Sequence, residues 1–598
     1  MHPELNPAQK KAVEAPMRPL LIVAGAGTGK TRTLTSRLIH LINSGVEPDK
    51  ILALTFTNKA AREMMDRLEG ELKGLRTRPL VGTFHSLGAR ILRAEAEAAG
   101  RTKDFVIFDD HDSFDLIKKL IKEMGFSPKE QKPSEFYRYI SAIKNGMSAM
   151  SETEAPAGVG RATAEEFYKR YEAGLLRHNA FDFDDLLEKL VLVLKNNPEI
   201  LKRYQGRYQY VLVDEYQDLN NVQYEFLKLL SRDGGNLSVV GDAAQTIYTW
   251  RGSNINIFLN FEKDWPGAQI TLLEENYRST SNIIDAASGI LLGERTLSPN
   301  LKYKLWTKNG EGKAVTLLES GSEEEEAEWI VDKIVEKKIS APAETMAVLY
   351  RTNAQSRALE QALLRRGVPY RVFGGMRFYE RREIKDVLAG LRYALNRADE
   401  ISKERLEKSI LKTRFRRFEA ELGGTESKDP LELIQLFLNS TDYLQYIERS
   451  LTDPEERKEN IAELIHFASE FKELPPFLEQ ISLLQSADNL SKRNNSDGLI
   501  LSTVHLAKGL EFDTVFISGV KEGLMPHARS FYDPESMEEE RRLLYVAMTR
   551  ARKELYLCFY EIPSRFLSAI PDANMSYENL TREKFSDFDS EERYISYD

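Results

Sequence analysis

Cysteine is almost absent: the 598 residues hold one, Cys558. A single thiol closes no intramolecular disulfide. Its setting, Leu555-Tyr556-Leu557-Cys558-Phe559, is an apolar run that predicts a buried core thiol in a reducing compartment. Histidine is scarce too, with 8, and no Cys/His cluster has the spacing of a zinc or iron–sulfur centre. No stretch approaches the ~20 apolar residues of a membrane span. The start, MHPELNPAQKK, lacks the apolar core of a signal peptide, so a soluble, cytoplasmic protein is expected. Positive charge is also in deficit, with a net charge of −10. That figure does not exclude nucleic acid, because binding follows local potential. Much of the acidity is clustered, in Glu323 to Glu326 and from Glu578 to Asp598. The glutamate run reads as the solvated start of a helix, where the helix dipole favours acids.

What is present is an ordinary globular mixture, 42% hydrophobic and 29% charged. The length suggests several units of ~100–200 residues each. Strand-like apolar runs alternate with helical segments in two regions. The first holds Pro19–Val23, Ile51–Thr57, Leu80–Thr83, Tyr210–Asp214, Ser238–Gly241 and Ile270–Leu273. The second holds Val315–Leu318, Met346–Tyr350, Tyr370–Phe373, Leu499–Val504, Thr514–Ser518 and Leu555–Phe559. Such alternation predicts an α/β protein with two parallel sheets covered by helices. Each core is interrupted by a mostly helical stretch, about 95–179 and 396–496. The second stretch runs out in the polar segment SADNLSKRNNSDG, which reads as a flexible re-entry linker.

Residues 24–31, Ala24-Gly25-Ala26-Gly27-Thr28-Gly29-Lys30-Thr31, follow the strand-like PLLIVA and precede the helix-like TRTLTSRLIHLI. This is the setting of a phosphate loop. Small residues let successive backbone N–H groups wrap phosphates, and the helix N-terminus adds its dipole. Lys30 would reach the β- and γ-phosphates of ATP, and Thr31 would bind Mg²⁺. The first position is Ala24 where the motif has glycine. YVLVDEYQD ends an apolar strand at Asp214-Glu215. Asp214 there can hold Mg²⁺ through water, and Glu215 can orient and deprotonate the attacking water. Phosphoryl transfer needs such a cradle, metal and positioned nucleophile. It also needs positive charge on the γ-phosphate. Arg278 in LEENYRS and Arg550 in YVAMTRAR are the candidates, because a guanidinium fork matches phosphate and keeps its proton.

Taken in order, these segments resemble the UvrD/Rep/PcrA group of superfamily 1 DNA helicases. LNPAQKKAV resembles the glutamine motif, with Gln9 reading adenine, and Arg32 after the phosphate loop would stack on the base. ALTFTNKAAREM (with Phe56), GTFHSLGARIL (with Thr83 and His85) and NAFDFDDLL resemble DNA-contacting segments. VVGDAAQTIYTWRGS resembles the coupling motif, and LEENYRS would place Tyr277 on adenine. YRTNAQSR, with Asn353, and GGMRFYERREIKD match the second core. LSTVHLAKGLEFDTVFISGV would put Glu511 near the ribose, EEERRLLYVAMTRAR carries Arg550, and PSRFL resembles the last DNA-contacting element. The resemblance covers roughly 1–395 and 497–570. It implies two RecA-like P-loop motor domains, 1–94 with 180–275 and 276–395 with 497–570, and ATP in the cleft between them. Each carries a helical insert, 95–179 and 396–496, and an acidic tail follows at 571–598. Polarity from 3′ to 5′ and a step of about one nucleotide per ATP are likewise implied.

The residues agree with a motor on single-stranded DNA. Single strands are held by aromatic faces that stack on bases beside a groove that tracks phosphates. Phe56, Tyr248, Trp250 and Phe566 lie in the matched segments. Arg251 follows Trp250, and His527 lies in the loop beyond Val520. Two aromatics and a cation beside Gly252 are unusual for a core strand. Gln245 lies beyond Asp242, where its amide could sense the γ-phosphate and report to Tyr248–Arg251. The chain departs from the pattern at Ala243-Ala244, where many relatives have an acid. Its second insert is short, and KTRFRRFEAELGG lacks the expected Pro-x-Arg-Gly-Ile-Gly turn. That basic run reads either as a phosphate contact or as a solvated helix face. About 30 residues, acidic in net charge, follow PSRFL, so no nuclease domain is expected. The reading is therefore an ATP-dependent helicase acting at single-strand/duplex junctions, as a monomer or weak dimer. The alternatives are a translocase that strips proteins from single strands and, less well supported, a non-motor ATP-binding regulator.

Overall fold

The computed structural model describes residues 5–71, 77–126, 131–146, 153–231, 236–291, 301–374, 376–450, 453–481 and 499–580. The chain forms two compact units. The first comprises Met1–Arg278 and Gly293–Lys308, the second Ser279–Leu292 and Asn309–Asp598. The place of 301–308 in the first unit, with Tyr277 and Arg278, differs from the division at 276 read from sequence.

The first unit is built on strands β1 (Leu20–Ala24), β2 (Ile51–Thr55) and β3 (Leu80–Thr83), then the short pair β4 (Val106–Phe108) and β5 (Ala180–Asp182), then β6 (Tyr210–Val213), β7 (Asn236–Gly241) and β8 (Gln269–Leu273). Six of them form one parallel sheet in the order β3-β2-β6-β7-β1-β8. β1 and β2 are buried along their whole length, which is why they read as continuous apolar runs without alternation. The order places β6, β7 and β1 side by side. The segments leaving their carboxyl ends therefore converge, at the edge where parallel α/β sheets bind ligands. Helices Asp110–Glu123, Pro133–Lys144 and Arg161–Arg177 of the interrupting stretch share a separate apolar core around Phe136, Phe167 and Tyr171. Short strands β9 (Glu275–Asn276) and β10 (Trp306–Thr307) pair in parallel and bring 301–308 onto the first unit.

The second unit contains β11 (Val315–Ser320), β12 (Met346–Tyr350), β13 (Arg371–Val372), β14 (Leu499–Thr503), β15 (Phe512–Ile517), β16 (Ala551–Tyr560) and β17 (Met575–Asn579), parallel in the order β13-β14-β12-β15-β16-β11-β17. Cys558 is buried on β16, as its apolar setting requires. Three expectations need correction. The stretch read as a tail from 571 contains β17, whose polar sequence suits an edge position. The second insert is not a separate body of apolar packing: Phe415, Phe418, Phe437 and Leu464 belong to one core with Val348 and Leu501 of the sheet. The glutamate run does start a helix, Glu323–Ser340, capped by Ser322, but it is not simply solvated. Glu326 is buried and accepts from Ser518 Oγ and the Gly519 N–H. Burial pushes its carboxyl up to about 7. The proposed re-entry linker at 486–498 lies outside the described residues.

Candidate functional site

The phosphate loop leaves β1 and closes on helix Lys30–Asn43. Gly27 and Gly29 hold φ of 70° and 83°, left-handed values that suit glycine. A Cβ on Gly27 would meet Asn276 Nδ2 at 2.5 Å and Arg278 Cβ at 2.9 Å. The loop is thus narrow and lies directly against the LEENYRS segment. Asn276 Nδ2 donates to Ala26 O at 2.7 Å, and the Tyr277 N–H to Gly27 O at 2.9 Å. Thr28 Oγ1 donates back to Gly25 O at 2.8 Å. Lys30 Nζ lies over the loop, 3.3 Å from Ala24 O. Arg278 is therefore beside the loop by geometry. Arg32 is half-buried on the first turn of the helix.

Thr31 Oγ1 donates to Asp214 Oδ2 at 2.7 Å. Asp214 is buried, and burial together with the neighbouring Glu215 raises its carboxyl above the usual range. Two hard oxygen donors and an acid whose charge needs compensation match the chemistry of Mg²⁺. Glu215 itself adopts φ 52°, ψ 46°, a left-handed backbone that costs a non-glycine residue free energy and clusters at functional sites. Asp242, at the end of β7, accepts from Gln245 Nε2 at 2.6 Å and from the Tyr303 hydroxyl at 2.6 Å. Gln245 is thereby held at the same sheet edge as the loop and the Asp214-Glu215 pair.

Gln9 sits differently from its expected role. It is fully buried, its Nε2 donates to Thr28 O at 2.9 Å, and its Oε1 accepts from the Asn6 N–H. The Nε2 end of the amide braces the phosphate loop and the Oε1 end caps helix Pro7–Val13, so neither end is turned outward to read a base. Tyr277 is 44% exposed, with its hydroxyl donating to Glu275 Oε2 at 2.9 Å, and this leaves a ring face outward.

Aromatic faces gather elsewhere on the first unit. Phe56 and Tyr248 stack with ring centres 5.5 Å apart. Trp250 is 60% exposed on the one-turn helix Thr249–Arg251; the Arg251 side chain lies outside the described residues. Thr83 caps helix Phe84–Ala94 with its side chain accepting from the Ser86 N–H. His85, one residue on, stacks on Phe183 at 4.0 Å and 21°. Burial pulls the His85 imidazole down to about 4, so the ring is neutral at physiological pH. Phe183 was missed from the sequence, although an exposed aromatic amid the acids of NAFDFDDLL is a signal in itself. Gln217, between Glu215 and the Asp242 backbone, was missed as well.

On the second unit, Asn353 Nδ2 donates to Glu456 at 2.7 Å. His527 lies 3.7 Å from Glu459 through Nε2, and its backbone N–H donates to Glu540. Glu511 is exposed and pairs with Arg552. The Arg550 guanidinium is buried, donating to Val546 O, Leu510 O and Thr549 Oγ1. Phe566 does not match the stacking role read for it. It is 1% exposed, with the Arg541 guanidinium 4.9 Å from its ring centre, so it serves as core.

Comparison with known proteins agrees with this arrangement. The UvrD/REP helicase N-terminal domain family matches residues 5–266. The UvrD-like helicase C-terminal domain family matches 271–437 and 426–561. The ATP-dependent DNA helicase PcrA of Bacillus subtilis (strain 168) is 37% identical over 97% of this chain and 87% of its own length. The PcrA of Leuconostoc citreum is also 37% identical, over the same shares, and that of Staphylococcus aureus (strain Mu50 / ATCC 700699) is 36% identical over 95% and 86%. With both family matches in order along most of its length, the chain belongs to the UvrD-like helicase family.

Proposed function

We propose that the protein is an ATP-dependent DNA helicase that moves from 3′ to 5′ on single-stranded DNA and opens duplex at junctions, in DNA repair, replication or recombination. The observation that carries this reading is the convergence, on one sheet edge, of the phosphate loop, the Asp214-Glu215 pair and the loop that bears both Gln245 and the stacking aromatics. Hydrolysis and DNA contact are then parts of one connected surface of the first unit. Lys30 and Arg278 meet the phosphates of ATP. Thr31 and Asp214 would hold Mg²⁺, whose chemistry when bound would be to offset the negative charge of the phosphates. Glu215 takes the proton of the attacking water, and Gln245 responds to the γ-phosphate. Arg550 is assigned to the γ-phosphate, and Arg32, Tyr277 and Glu511 to the nucleoside, on family resemblance. Phe56, Tyr248, Trp250, His85 and Phe183 supply base-stacking faces that tolerate any sequence.

The proposed division keeps two motor domains, 1–94 with 180–275 and 276–395 with 497–570, with residues 276–278 and 301–308 counted in the first unit, an insert at 95–179, and the helices of 396–496 as an insert packed into the core of the second motor. The test is displacement of a labelled strand from duplexes with a 3′ or a 5′ single-stranded tail, with Lys30→Ala and Glu215→Gln as inactive controls. Unwinding from the 3′ tail alone, lost in both controls, is the expected result. Unwinding from the 5′ tail alone overturns the polarity.

A second reading, a translocase that strips bound proteins but opens duplex poorly, is favoured by one observation. In the basic helix Lys412–Gly423, Arg414 lies 3.6 Å from Asp442, and Arg417 pairs with both Asp442 and Glu421. Those guanidinium groups are engaged within the insert. DNA-stimulated hydrolysis without displacement from either tail would select this reading.

A further inference from the structure

Gln217 is fully buried in the short turn Tyr216–Asp218, directly after Glu215. Both ends of its amide are used. Nε2 donates to Glu215 Oε2 at 2.5 Å, and Oε1 accepts the Asp242 N–H at 2.9 Å. Room for this link is made on both sides. The left-handed backbone at Glu215 folds the chain so that residue 217 returns beneath residue 215. On β7, a Cβ at Gly241 would lie 2.4 Å from Gln217 Oε1, so the chain has no side chain there. Beyond Asp242 the connection continues to Gln245 and Tyr303. A second link runs parallel to it. Ser253 Oγ donates to Asp218 O at 2.8 Å, immediately after the Tyr248–Gly252 stretch. The segment 214–218 is therefore tied twice to the loop 242–253, which carries Gln245 and the exposed aromatics.

We propose that Gln217 is a positioning residue for ATP hydrolysis: its amide holds the Glu215 carboxylate against the 242–253 loop, so that Glu215 is aligned when single-stranded DNA rests on Tyr248 and Trp250. This rests on the reading of Glu215 as the base. In that step a water oxygen bonds to the γ-phosphorus, the bond to the β-bridging oxygen breaks, ADP departs and the water proton passes to Glu215. Gln217 touches none of the reacting atoms. It fixes the direction of the carboxylate through one hydrogen bond and senses the loop through the other. Two bonds made by one rigid amide give the base an orientation that depends on where the Asp242 backbone stands.

The test uses the full-length protein with Gln217→Leu and Gln217→Glu. Steady-state hydrolysis is measured with and without oligo-dT, beside binding of a fluorescent ATP analogue, binding of oligo-dT and thermal unfolding. For Gln217→Leu the expected kcat with oligo-dT falls ~10- to 100-fold. KM for ATP, analogue affinity and oligo-dT affinity stay within about twofold, the mark of an interaction used in the transition state. Gln217→Glu keeps the size and still accepts from Asp242, but it cannot donate to Glu215 and sets a second carboxylate beside it, so its kcat falls at least as far. Wild-type kcat in Gln217→Glu overturns the proposal. So do losses of nucleotide or DNA affinity that match the loss of kcat, or a lowered unfolding temperature with kcat per folded molecule unchanged. Glu215→Gln, run alongside, separates the two readings. Hydrolysis surviving in it removes the base assignment. Normal kcat in both Gln217 variants beside an inactive Glu215→Gln removes only the role of Gln217.

Discussion

Thr31 and Asp214 stand 183 residues apart in the chain and 2.7 Å apart in the folded protein, the hydroxyl donating to the carboxylate. β1 and β6 bring them together, separated in the sheet by β7 alone. Neither oxygen is remarkable on its own surface; as a facing pair they offer the hard donors that Mg²⁺ prefers. Thr31→Ala removes one donor and leaves the Asp214-Glu215 repulsion less compensated. Hydrolysis titrated with Mg²⁺ at fixed ATP is expected to need at least ~10-fold more metal for half-maximal rate. An unchanged titration would show that Thr31 is not a ligand.

Trp250 is 60% exposed and supports no core. Trp250→Ala should leave the unfolding temperature unchanged and weaken single-strand binding by ~1–3 kcal/mol, the range for losing one base stack. The check is oligo-dT affinity by fluorescence anisotropy at fixed salt. Equal affinity in the two proteins would place the DNA elsewhere.

His85 gives a pH prediction of definite sign. Burial lowers its imidazole from 6.5 to about 4, so the unfolded chain takes up this proton before the folded one does. The group's contribution to stability is complete above pH 6.5 and is lost as pH falls from there toward 4. Under the proposed function, a neutral ring would meet DNA by stacking beside Phe183 and not by charge. His85→Phe is expected to bind oligo-dT like the wild type from pH 6 to pH 8, within about twofold. If the imidazole were charged against a phosphate, the wild type alone would tighten as pH drops through that range.

Much of this was legible before the structure, and the reasons differ from residue to residue. The strands at Leu20–Ala24 and Ile51–Thr55 are buried on both faces, so their apolar runs announce them. The phosphate loop is legible because its chemistry is local in sequence. β17 was not, because an exposed edge strand reading MSYEN carries no burial pattern. Glu326 was misread because its partners, Ser518 and Gly519, lie 192 and 193 residues away. Phe566 looked like a stacking face because PSRFL has no periodicity to reveal that Arg541 covers it. Gln217 was invisible for a similar reason. One of its two partners is the backbone N–H of Asp242, and backbone groups leave no trace in residue type.

Lys144 tests what holds the first insert to its motor. Its ammonium is fully buried and lies 2.7 Å from each of Glu172, Asp182 and Asp185. Those acids hold its pKa above the ordinary lysine value, against the burial that would lower it. Lys144→Met leaves the acids facing one another, with Lys189 still reaching Glu172 and Asp185. The expected loss is ~3 kcal/mol, the low end for breaking a buried pair, read as earlier thermal unfolding. Replacing Asp185 as well, in Lys144→Met/Asp185→Leu, should recover part of that loss. A double variant whose loss relative to the wild type equals the sum of the two single losses would mean that the cluster is not acting as a charge network.

Gly241 offers an independent route to Gln217. Its backbone φ is ordinary, so alanine is excluded there only by what its Cβ would meet: Gln217 Oε1 at 2.4 Å and Phe258 Cε2 at 2.9 Å. Gly241→Ala must therefore displace the Gln217 amide, or the Phe258 ring, or both. If the amide is what matters, kcat with oligo-dT falls by ~10-fold while nucleotide affinity holds. Added to Gln217→Leu, the same substitution then costs less than about twofold more, because the two changes remove one interaction. If instead the two losses multiply, Gly241 acts through Phe258 and the packing beneath β7, and the alignment of Glu215 does not pass through residue 217. The cycle needs four proteins and one assay, and its two outcomes differ by about the whole effect of either single change.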